Sequence, residues 1–328
     1  MRILLALTIT VSLPTLAWAQ GATHTFTPTA GVQTFAVRPP VLRVKPGDTV
    51  DTQTFSRPGD YYTPDKAGPW PGEVGPFFVE GAEPGDTLLV RILKLAPNRD
   101  VAISNVTPNG ISGVAADSRT RMLNDPLPAR RFVWRLDRQR MVGVLDLPNS
   151  ASQRIEIPLR PMLGRVAVAP AGEEAWGGLW PGDFGGNLDA VDVTQGATVH
   201  LPVFHPGALF YFGDFHAAQG DGEIVGSGLE STAEVTFQFE LIKGQRIRWP
   251  RIENDEFIMV AGSVRPFVDA LRIAYVELIE WLVADYGFDR MEAYQVVSQV
   301  GVVRVANIVD PNYTAIAKFP RKLLPPRR

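Results

Sequence analysis

The chain lacks cysteine altogether, although it is 328 residues long. Disulfide cross-links and thiol catalysis are therefore excluded, and the fold must rest on its hydrophobic core. Positive charge is not in excess, since the chain has 32 Lys and Arg residues and 35 Asp and Glu residues. This balance argues against a nucleic-acid partner. After residue 19, no apolar run reaches the roughly 18 residues of a membrane-spanning helix. Histidine is scarce as well, with four in the chain, so each one is a conspicuous candidate for chemistry.

Residues 1–19 have the pattern of a secretory signal peptide. Arg2 supplies a positive charge, the run from Ile3 to Leu13 is largely apolar, and Ala17 to Ala19 forms a small-x-small cleavage site before Gln20. We therefore expect export to the periplasm or the exterior, with no membrane attachment after cleavage. Because Arg2 is the only charge removed, the mature chain has 31 basic and 35 acidic residues and a formal net charge of −4.

Glycine and proline are frequent, with 30 and 28 residues respectively, and such frequent breaks favour many short strands over long helices. A β-rich region is predicted over residues 41–264, behind an N-terminal arm over residues 20–40. The segment from 97 to 128 shows little periodicity and is predicted to be a long loop. The predicted strands are 41–44, 49–52, 87–93, 132–134, 141–147, 154–159, 165–168, 198–203, 208–212 and 234–241.

The apolar period changes near residue 265. Apolar residues recur at helical spacing from Phe267 to Leu282, and Gly287 is a typical helix stop. Asp289 then has the position of an N-cap for a second helix. This pattern predicts a helical pair over residues 265–300, followed by a C-terminal strand and a solvated tail over residues 301–328.

One segment stands out by its chemistry. The run from Gly213 to Glu223 contains one histidine, three carboxylates, one carboxamide and three glycines. Carboxylates and histidine are typical ligands of divalent metal ions, and glycines allow the backbone to bend tightly around one point. A glycine-rich acidic turn between two strands is the alternative, because Asp and Gly are common turn residues.

Several blocks in chain order give the sequence a specific resemblance. The central block is the run 213–223, preceded by Gly185 to Asp189. Further blocks are Gly75 to Asp86, Ile157 to Pro170 and Val302 to Asp310. Together they resemble the acetamidase/formamidase family, from about Val41 to Leu324.

The resemblance implies a β-sandwich of jelly-roll character with a small C-terminal helical appendage, which is compatible with the mainly β pattern. It also implies hydrolysis of short aliphatic amides, such as formamide and acetamide, to ammonia and a carboxylic acid. Family members are associated with a divalent metal, zinc and sometimes calcium, and with homo-oligomers. A metal-activated water removes the need for a serine or cysteine nucleophile, which agrees with the absence of cysteine.

Candidate roles follow for individual residues. Glu223 is predicted either to ligate the metal or to act as the general base that takes the proton of water. Asn187 and Asp189 are two residues apart, so on an extended segment they would point to one face for ligation or substrate orientation. Gln219 could hold the substrate through its own carboxamide. The predicted metal ligands are His216, Asp214, Asn187, Asp189 and Glu223, and the predicted catalytic residues are Glu223, His216 and Gln219.

Two histidines that the family often carries are absent. The positions before Gly75-Pro76 and in the turn from Pro161 to Gly164 hold none. A site poor in nitrogen leaves oxygen ligands to dominate, which favours a harder ion or weakens zinc binding. The alternative to a metal-dependent amidohydrolase is therefore a non-catalytic exported β-sandwich that binds a metal, a carbohydrate or a small solute.

Overall fold

The computed structural model describes residues 20–107, 113–116 and 125–328, so the predicted signal peptide lies outside the described residues. The described chain forms short strands, two α-helices and a final 3-10 turn at Arg321–Leu323. The helices are α1 (Phe267–Tyr286) and α2 (Arg290–Val300). The strands are β1 (Thr23–Thr25), β2 (Thr34–Phe35), β3 (Leu42–Val44), β4 (Thr49–Gln53), β5 (Val74–Val79), β6 (Thr87–Pro97), β7 (Val101–Val106), β8 (Arg130–Asp137), β9 (Val142–Leu147), β10 (Gln153–Pro158), β11 (Met162–Ala167), β12 (Trp176–Gly177), β13 (Pro181–Gly182), β14 (Gly185–Asn187), β15 (Thr198–Pro202), β16 (Phe210–His216), β17 (Glu230–Ser231), β18 (Ala233–Ile242), β19 (Arg251–Glu253), β20 (Phe257–Val264), β21 (Val302–Asn307) and β22 (Tyr313–Pro320).

Two large sheets contain most of these strands. Sheet 1 has nine strands in the order β1-β4-β18-β6-β15-β19-β20-β22-β21. Sheet 2 has eleven strands, with the order β10-β9-β8-β7-β17-β16-β11-β14-β13 and with β5 and β3 added beside β16. The long ladders, such as β6 with β18 and β20 with β22, are antiparallel, whereas β1–β4 and β3–β5 are parallel.

The main core lies between the two sheets. Phe237 and Phe239 of β18 face Phe210 and Phe212 of β16, with ring centroids 4.8 Å apart for Phe212–Phe237 and 5.5 Å apart for Phe210–Phe239. All four rings are fully buried, and each contributes roughly 1.5–3 kcal/mol relative to an exposed side chain. Alternating inward residues on strands of both sheets thus produce a sandwich, and the predicted mainly β fold with a C-terminal helical part is confirmed.

A second core forms where α1 packs on the outer face of sheet 1. Leu278 and Trp281 of this helix are buried against residues of β20 and β22. The helix ends at Gly287, whose φ of 70° is left-handed, and Asp289 caps α2 by accepting hydrogen bonds from two backbone N–H groups. Both helix boundaries agree with the sequence prediction. Within the described residues, no helix is long and apolar enough to cross a membrane.

Three local predictions differ from the structure. The segment 97–128, predicted as a loop, contains β7, which pairs with β8 along its whole length. Its sequence alternates poorly, so the pairing partner and not the local pattern makes it a strand. Residues 108–112 and 117–124 of that segment lie outside the described residues. The predicted N-terminal arm contributes β1 to sheet 1. The tail is not merely solvated, because Arg327 donates hydrogen bonds to Asp285 at the end of α1.

Candidate metal centre and active site

Four neighbouring strands of sheet 2 place the candidate site. In the order β14-β11-β16-β17 they carry Asn187, Arg165, His216 and Glu230. Antiparallel register sets Arg165 opposite Asn187 and sets His216 opposite Glu230. Residues that are far apart in the chain therefore meet because their strands are adjacent.

These strands and the loops beside them gather carboxylates in the interior. Against them, the described residues of the cluster supply Arg165 as a permanent cation, and His216 when it is protonated. Such an excess of buried negative charge is costly unless the carboxylates are protonated or a further cation is bound. The six buried carboxylates are Glu73, Asp189, Asp214, Glu223, Glu230 and Asp310.

Arg165 connects one half of the cluster. Its Nη1 donates to Glu73 Oε1 at 2.6 Å, and its Nε donates to Asn187 Oδ1 at 2.5 Å and lies 3.2 Å from Asp214 Oδ2. The guanidinium also lies over the ring of Trp70, 4.5 Å from its centroid. Arg165 is thus a structural cation that holds Glu73 and Asp214 in place.

Asn187 connects the other half. Its Nδ2 donates to Asp189 Oδ2 at 2.6 Å and to Asp310 Oδ2 at 2.7 Å, while its Oδ1 accepts from Arg165. We predicted Asn187 as a metal ligand, but its amide oxygen is already paired with the guanidinium. In this geometry Asn187 orients two carboxylates.

Hydrogen bonds fix the orientation of His216. Gln219 Nε2 donates to the carbonyl oxygens of Asp189 and Ala306, so Gln219 Oε1 faces the imidazole and accepts from His216 Nδ1 at 2.8 Å. His216 Nε2 then points towards Glu230 Oε1 at 3.1 Å and Asp214 Oδ1 at 3.3 Å, without hydrogen-bond geometry to either. A histidine whose Nδ1–H is held by an amide oxygen presents Nε2 as a ligand in many metal sites.

The two carboxylates beside Arg165, Asp214 and Glu73, have pKa values shifted in opposite directions. Burial raises the pKa of Asp214, but Arg165 and His216 outweigh burial and lower this pKa to about 2. Burial raises the pKa of Glu73 to about 7, although Arg165 opposes the rise. Asp214 is therefore a carboxylate at neutral pH, whereas Glu73 can exchange a proton there.

The other carboxyl groups around His216 have raised pKa values. Burial raises the pKa of Glu230 to about 7, and burial together with the charge of Asp189 raises the pKa of Glu223 and of Asp310 well above the ordinary range. Burial lowers the pKa of His216, but Glu230 and Asp214 outweigh it and raise this pKa. Carboxylates that repel one another in this way are compensated by a bound cation in metal sites.

The donor atoms suit a metal ion. Three overlapping groups offer ligand atoms within 4.8 Å of one another, namely Asp189–Asp214–His216, His216–Glu223–Glu230 and Asp189–Glu223–Asp310. Three buried atoms in these groups have no hydrogen-bond partner: Asp189 Oδ1, His216 Nε2 and Glu230 Oε2. Buried polar atoms are rarely left unpaired, so these residues fit a divalent cation.

The backbone is also shaped around these side chains. Asp189, Asp214 and Glu223 have left-handed φ values of 45°, 55° and 48°. Such conformations cost roughly 1–3 kcal/mol each for non-glycine residues and cluster at functional sites. A Cβ on Gly164 would lie less than 3.0 Å from a carboxylate oxygen of both Asp189 and Asp214, so that position requires glycine.

A pocket of about 500 Å³ opens above the cluster. Its floor includes Asp214, Glu223, Glu230 and Asp310. The cluster is therefore buried in the protein and still accessible to a small molecule.

The structure brings together most of the predicted residues and adds others. Asp214, His216, Asp189 and Glu223 meet as predicted, whereas both ends of the Gln219 carboxamide are engaged within the protein, so Gln219 positions His216. Glu73, Arg165 and Asp310 are not among the predicted site residues. Each lies in or beside one of the resembling blocks, which was the available indication, but no local spacing links them.

Comparison with known proteins agrees with this architecture. A sequence model of the Acetamidase/Formamidase family matches residues 155–324. An acetamidase from Mycolicibacterium smegmatis is 29% identical over 237 residues, 58% of this chain and 58% of that protein. A formamidase from Methylophilus methylotrophus is 28% identical over 52% of this chain and 51% of its own length. The chain thus spans about half the length of the curated relatives it matches.

Solved structures extend the similarity to nearly the whole chain. The acetamidase from Yersinia enterocolitica shares 37% identity, covers 92% of this chain and 93% of its own, and superposes with a TM-score of 0.80. The acetamidase from Bacillus halodurans shares 27% identity, covers 90% of this chain and 97% of its own, and has a TM-score of 0.76. The family match and the shared fold agree with the resembling sequence blocks, which the structure brings together around one site. The chain belongs to the acetamidase/formamidase family.

Proposed function

We propose that this protein is an exported, metal-dependent amidohydrolase that cleaves short aliphatic amides to ammonia and a carboxylic acid. One observation carries the proposal: six buried carboxylates and one histidine form a cluster in which three polar atoms lack partners, and four of these carboxylates line an accessible pocket. Relatives named acetamidase and formamidase support a linear amide as the substrate.

The residues proposed to hold the cation are His216, Asp214, Asp189 and Glu230. Their donor atoms fall in two overlapping groups, Asp189–Asp214–His216 and His216–Glu223–Glu230, so ligation stays the alternative role of Glu223. When bound, a divalent cation supplies Lewis acidity to an amide carbonyl and to water. We propose zinc, which accepts histidine and carboxylate ligands. Calcium is the alternative, because one nitrogen among many oxygens also suits a harder ion.

The protein's own groups have separate tasks. Glu223 lines the pocket, and a cation that compensates the neighbouring carboxylates would lower its raised pKa and keep it ionised. The Glu223 carboxylate is then proposed to take the proton of the attacking water and deliver it to the departing nitrogen as the carbon–nitrogen bond breaks. Asn187 and Gln219 hold Asp189, Asp310 and His216 in fixed orientations. Preorganisation of this kind removes part of the entropic cost of reaching the reactive geometry.

Ammonia release from formamide and acetamide by the purified mature protein tests this proposal. We expect activity that a chelator abolishes and that the added metal restores. Glu223→Gln should lower kcat by about 100-fold or more, in the range that general bases contribute. Asp221→Asn is the matched control, because Asp221 lies in the same run but is exposed and pairs with Arg304 at the surface.

Two outcomes separate the alternatives. If the metal-replete protein releases no ammonia from a panel of short amides, the proposed activity is refuted. Bound metal without hydrolysis would favour a non-catalytic binding protein. Elemental analysis of the same sample identifies the ion, and light scattering tests the homo-oligomer that the family implies.

Export is a separate part of the proposal, and it is supported by the charge of Arg2, the apolar run and the Ala17 to Ala19 site. We expect a mature protein that begins at Gln20 and appears in the periplasmic or culture fraction. Mass spectrometry of the N terminus checks this. An unprocessed chain confined to the cytoplasm would overturn it.

A further inference from the structure

The pocket is much larger than a short aliphatic amide needs. Its volume is about 500 Å³, and at about 30 Å³ per liquid water it would hold on the order of sixteen water molecules. Formamide and acetamide are only a few times the size of a water molecule. Pockets of 300–1,000 Å³ typically enclose ligands of several fused or linked groups.

The walls of the pocket are more apolar than its carboxylate floor. Above the charged floor, the wall presents the side chains of Tyr61, Trp70, Leu179 and Trp180. Tyr61 and Trp70 pack edge to face with ring centroids 5.4 Å apart, and Trp180 packs on Trp176 with centroids 5.1 Å apart. Leu179 and Trp180 are each more than one-third exposed, at 39% and 36%, so their apolar surfaces can contact a ligand.

Two polar side chains of the wall bond to the wall itself. Asn105 Nδ2 donates to the Tyr61 hydroxyl at 2.7 Å, and Asn105 Oδ1 accepts from Arg131. Gln33 Nε2 donates to the Trp70 carbonyl at 3.1 Å. Asn105 and Gln33 thus support the aromatic residues, which with Leu179 form the apolar part of the described wall.

Hydrogen bonds also hold the Tyr61 side of the wall in place. Arg131 donates from Nη2 to the carbonyl oxygens of Tyr61 and Thr63, at 2.7 and 2.6 Å, and from Nε to that of Pro64 at 3.2 Å. A preformed apolar surface binds a complementary group without a further ordering cost.

We infer that the pocket also accepts primary amides whose acyl group carries an aromatic ring, and that it favours them over the short aliphatic amides of the proposed function. The ring packs against Trp180 and Leu179 while the amide reaches the carboxylate floor. The inference rests on the proposed amide hydrolysis and adds the substrate class. A ring fills the apolar volume and gains contacts with aromatic side chains that a methyl group cannot make. Formamide and acetamide leave that volume to water.

The test compares kcat/KM for phenylacetamide and acetamide by ammonia release, with the full mature protein. We expect phenylacetamide to be favoured by at least about tenfold, since apolar pockets discriminate at this level for small differences in size. Trp180→Ala should lower the phenylacetamide-to-acetamide ratio by at least about tenfold, and Leu179→Ala should lower it in the same direction. Tyr294→Ala, an exposed aromatic position on α2, is the matched control and should leave the ratio unchanged.

The outcomes distinguish this inference from the proposed function. If acetamide is hydrolysed as efficiently as phenylacetamide or better, the aromatic specificity is refuted and amide hydrolysis stands. If Trp180→Ala and Leu179→Ala leave the ratio unchanged in folded protein, the wall does not select the ring and the inference is refuted. If no amide in the panel is hydrolysed, both are refuted.

Discussion

Arg165 offers the sharpest test of how the site is held together. Its guanidinium is almost completely buried, and it pairs with Glu73 and Asp214, which are also buried. Replacing it by methionine keeps an unbranched side chain in place of the aliphatic stem but removes the cationic guanidinium. Breaking a buried ion pair on one side costs about 3–5 kcal/mol, because the remaining charge has neither water nor a partner.

The structure shows where this cost arises. Glu73 has a pKa of about 7 beside Arg165, so after the loss of the cation it can become neutral by taking up a proton. Asp214 depends on Arg165 to keep its pKa at about 2, so it loses the greater part of its compensation. Arg165→Met should therefore lower the free energy of unfolding by about 3–5 kcal/mol at pH 7, and Glu73→Gln should have a smaller effect.

Urea unfolding of the metal-free protein, followed by tryptophan fluorescence, measures this difference. With an m-value of about 3 kcal/mol/M, the Arg165→Met midpoint should fall by roughly 1–1.7 M. Arg135→Met is the matched control, because Arg135 forms a solvent-exposed pair with Asp146, and such pairs contribute little. If Arg165→Met and Arg135→Met unfold at the same midpoint, Arg165 does not compensate buried charge and the reasoning fails.

Three further results are expected. Gly164→Ala should abolish activity in a folded protein, because its Cβ would displace two site carboxylates, whereas a Cβ on Gly220 meets open space and Gly220→Ala should stay active in the ammonia assay. Gln219→Met should weaken metal binding by about 10–100-fold in a chelator competition, because His216 loses the acceptor that orients it, and unchanged affinity would contradict this role. Burial raises the pKa of Glu253, but the neighbouring histidine and two arginines outweigh it and lower the pKa to about 2. The stabilisation from this lowered pKa is therefore present above about pH 4.5 and is lost as the pH falls towards 2. Glu253→Gln should remove up to roughly 3 kcal/mol of this pH-dependent change in the free energy of unfolding, measured by urea titrations at several pH values. If the variant and the unchanged protein lose the same free energy of unfolding over this pH range, the expectation is refuted.

Much of the fold follows from local patterns. Alternating apolar residues place β18 with one face inward, and Gly287 and Asp289 set the end of α1 and the start of α2, as the sequence predicted. The strand β7 was missed because its burial comes from pairing with β8 and not from its own composition. Local propensities act over a few residues, so elements with strong periods and caps are predictable and weakly patterned strands are not.

The sequence by itself determined that the protein is mainly β and that it resembles one family, and it predicted a site in the run containing Asp214, His216 and Glu223. Only the tertiary structure decided which groups complete that site. Arg165 meets Glu73 across 92 positions of the chain, and Asn187 meets Asp310 across 123. These contacts depend on which strands lie side by side and in which register, a long-range property that no local spacing encodes. The tertiary structure also decided the contacts of Gln219, which donates to the carbonyl oxygens of Asp189 and Ala306 and accepts from His216.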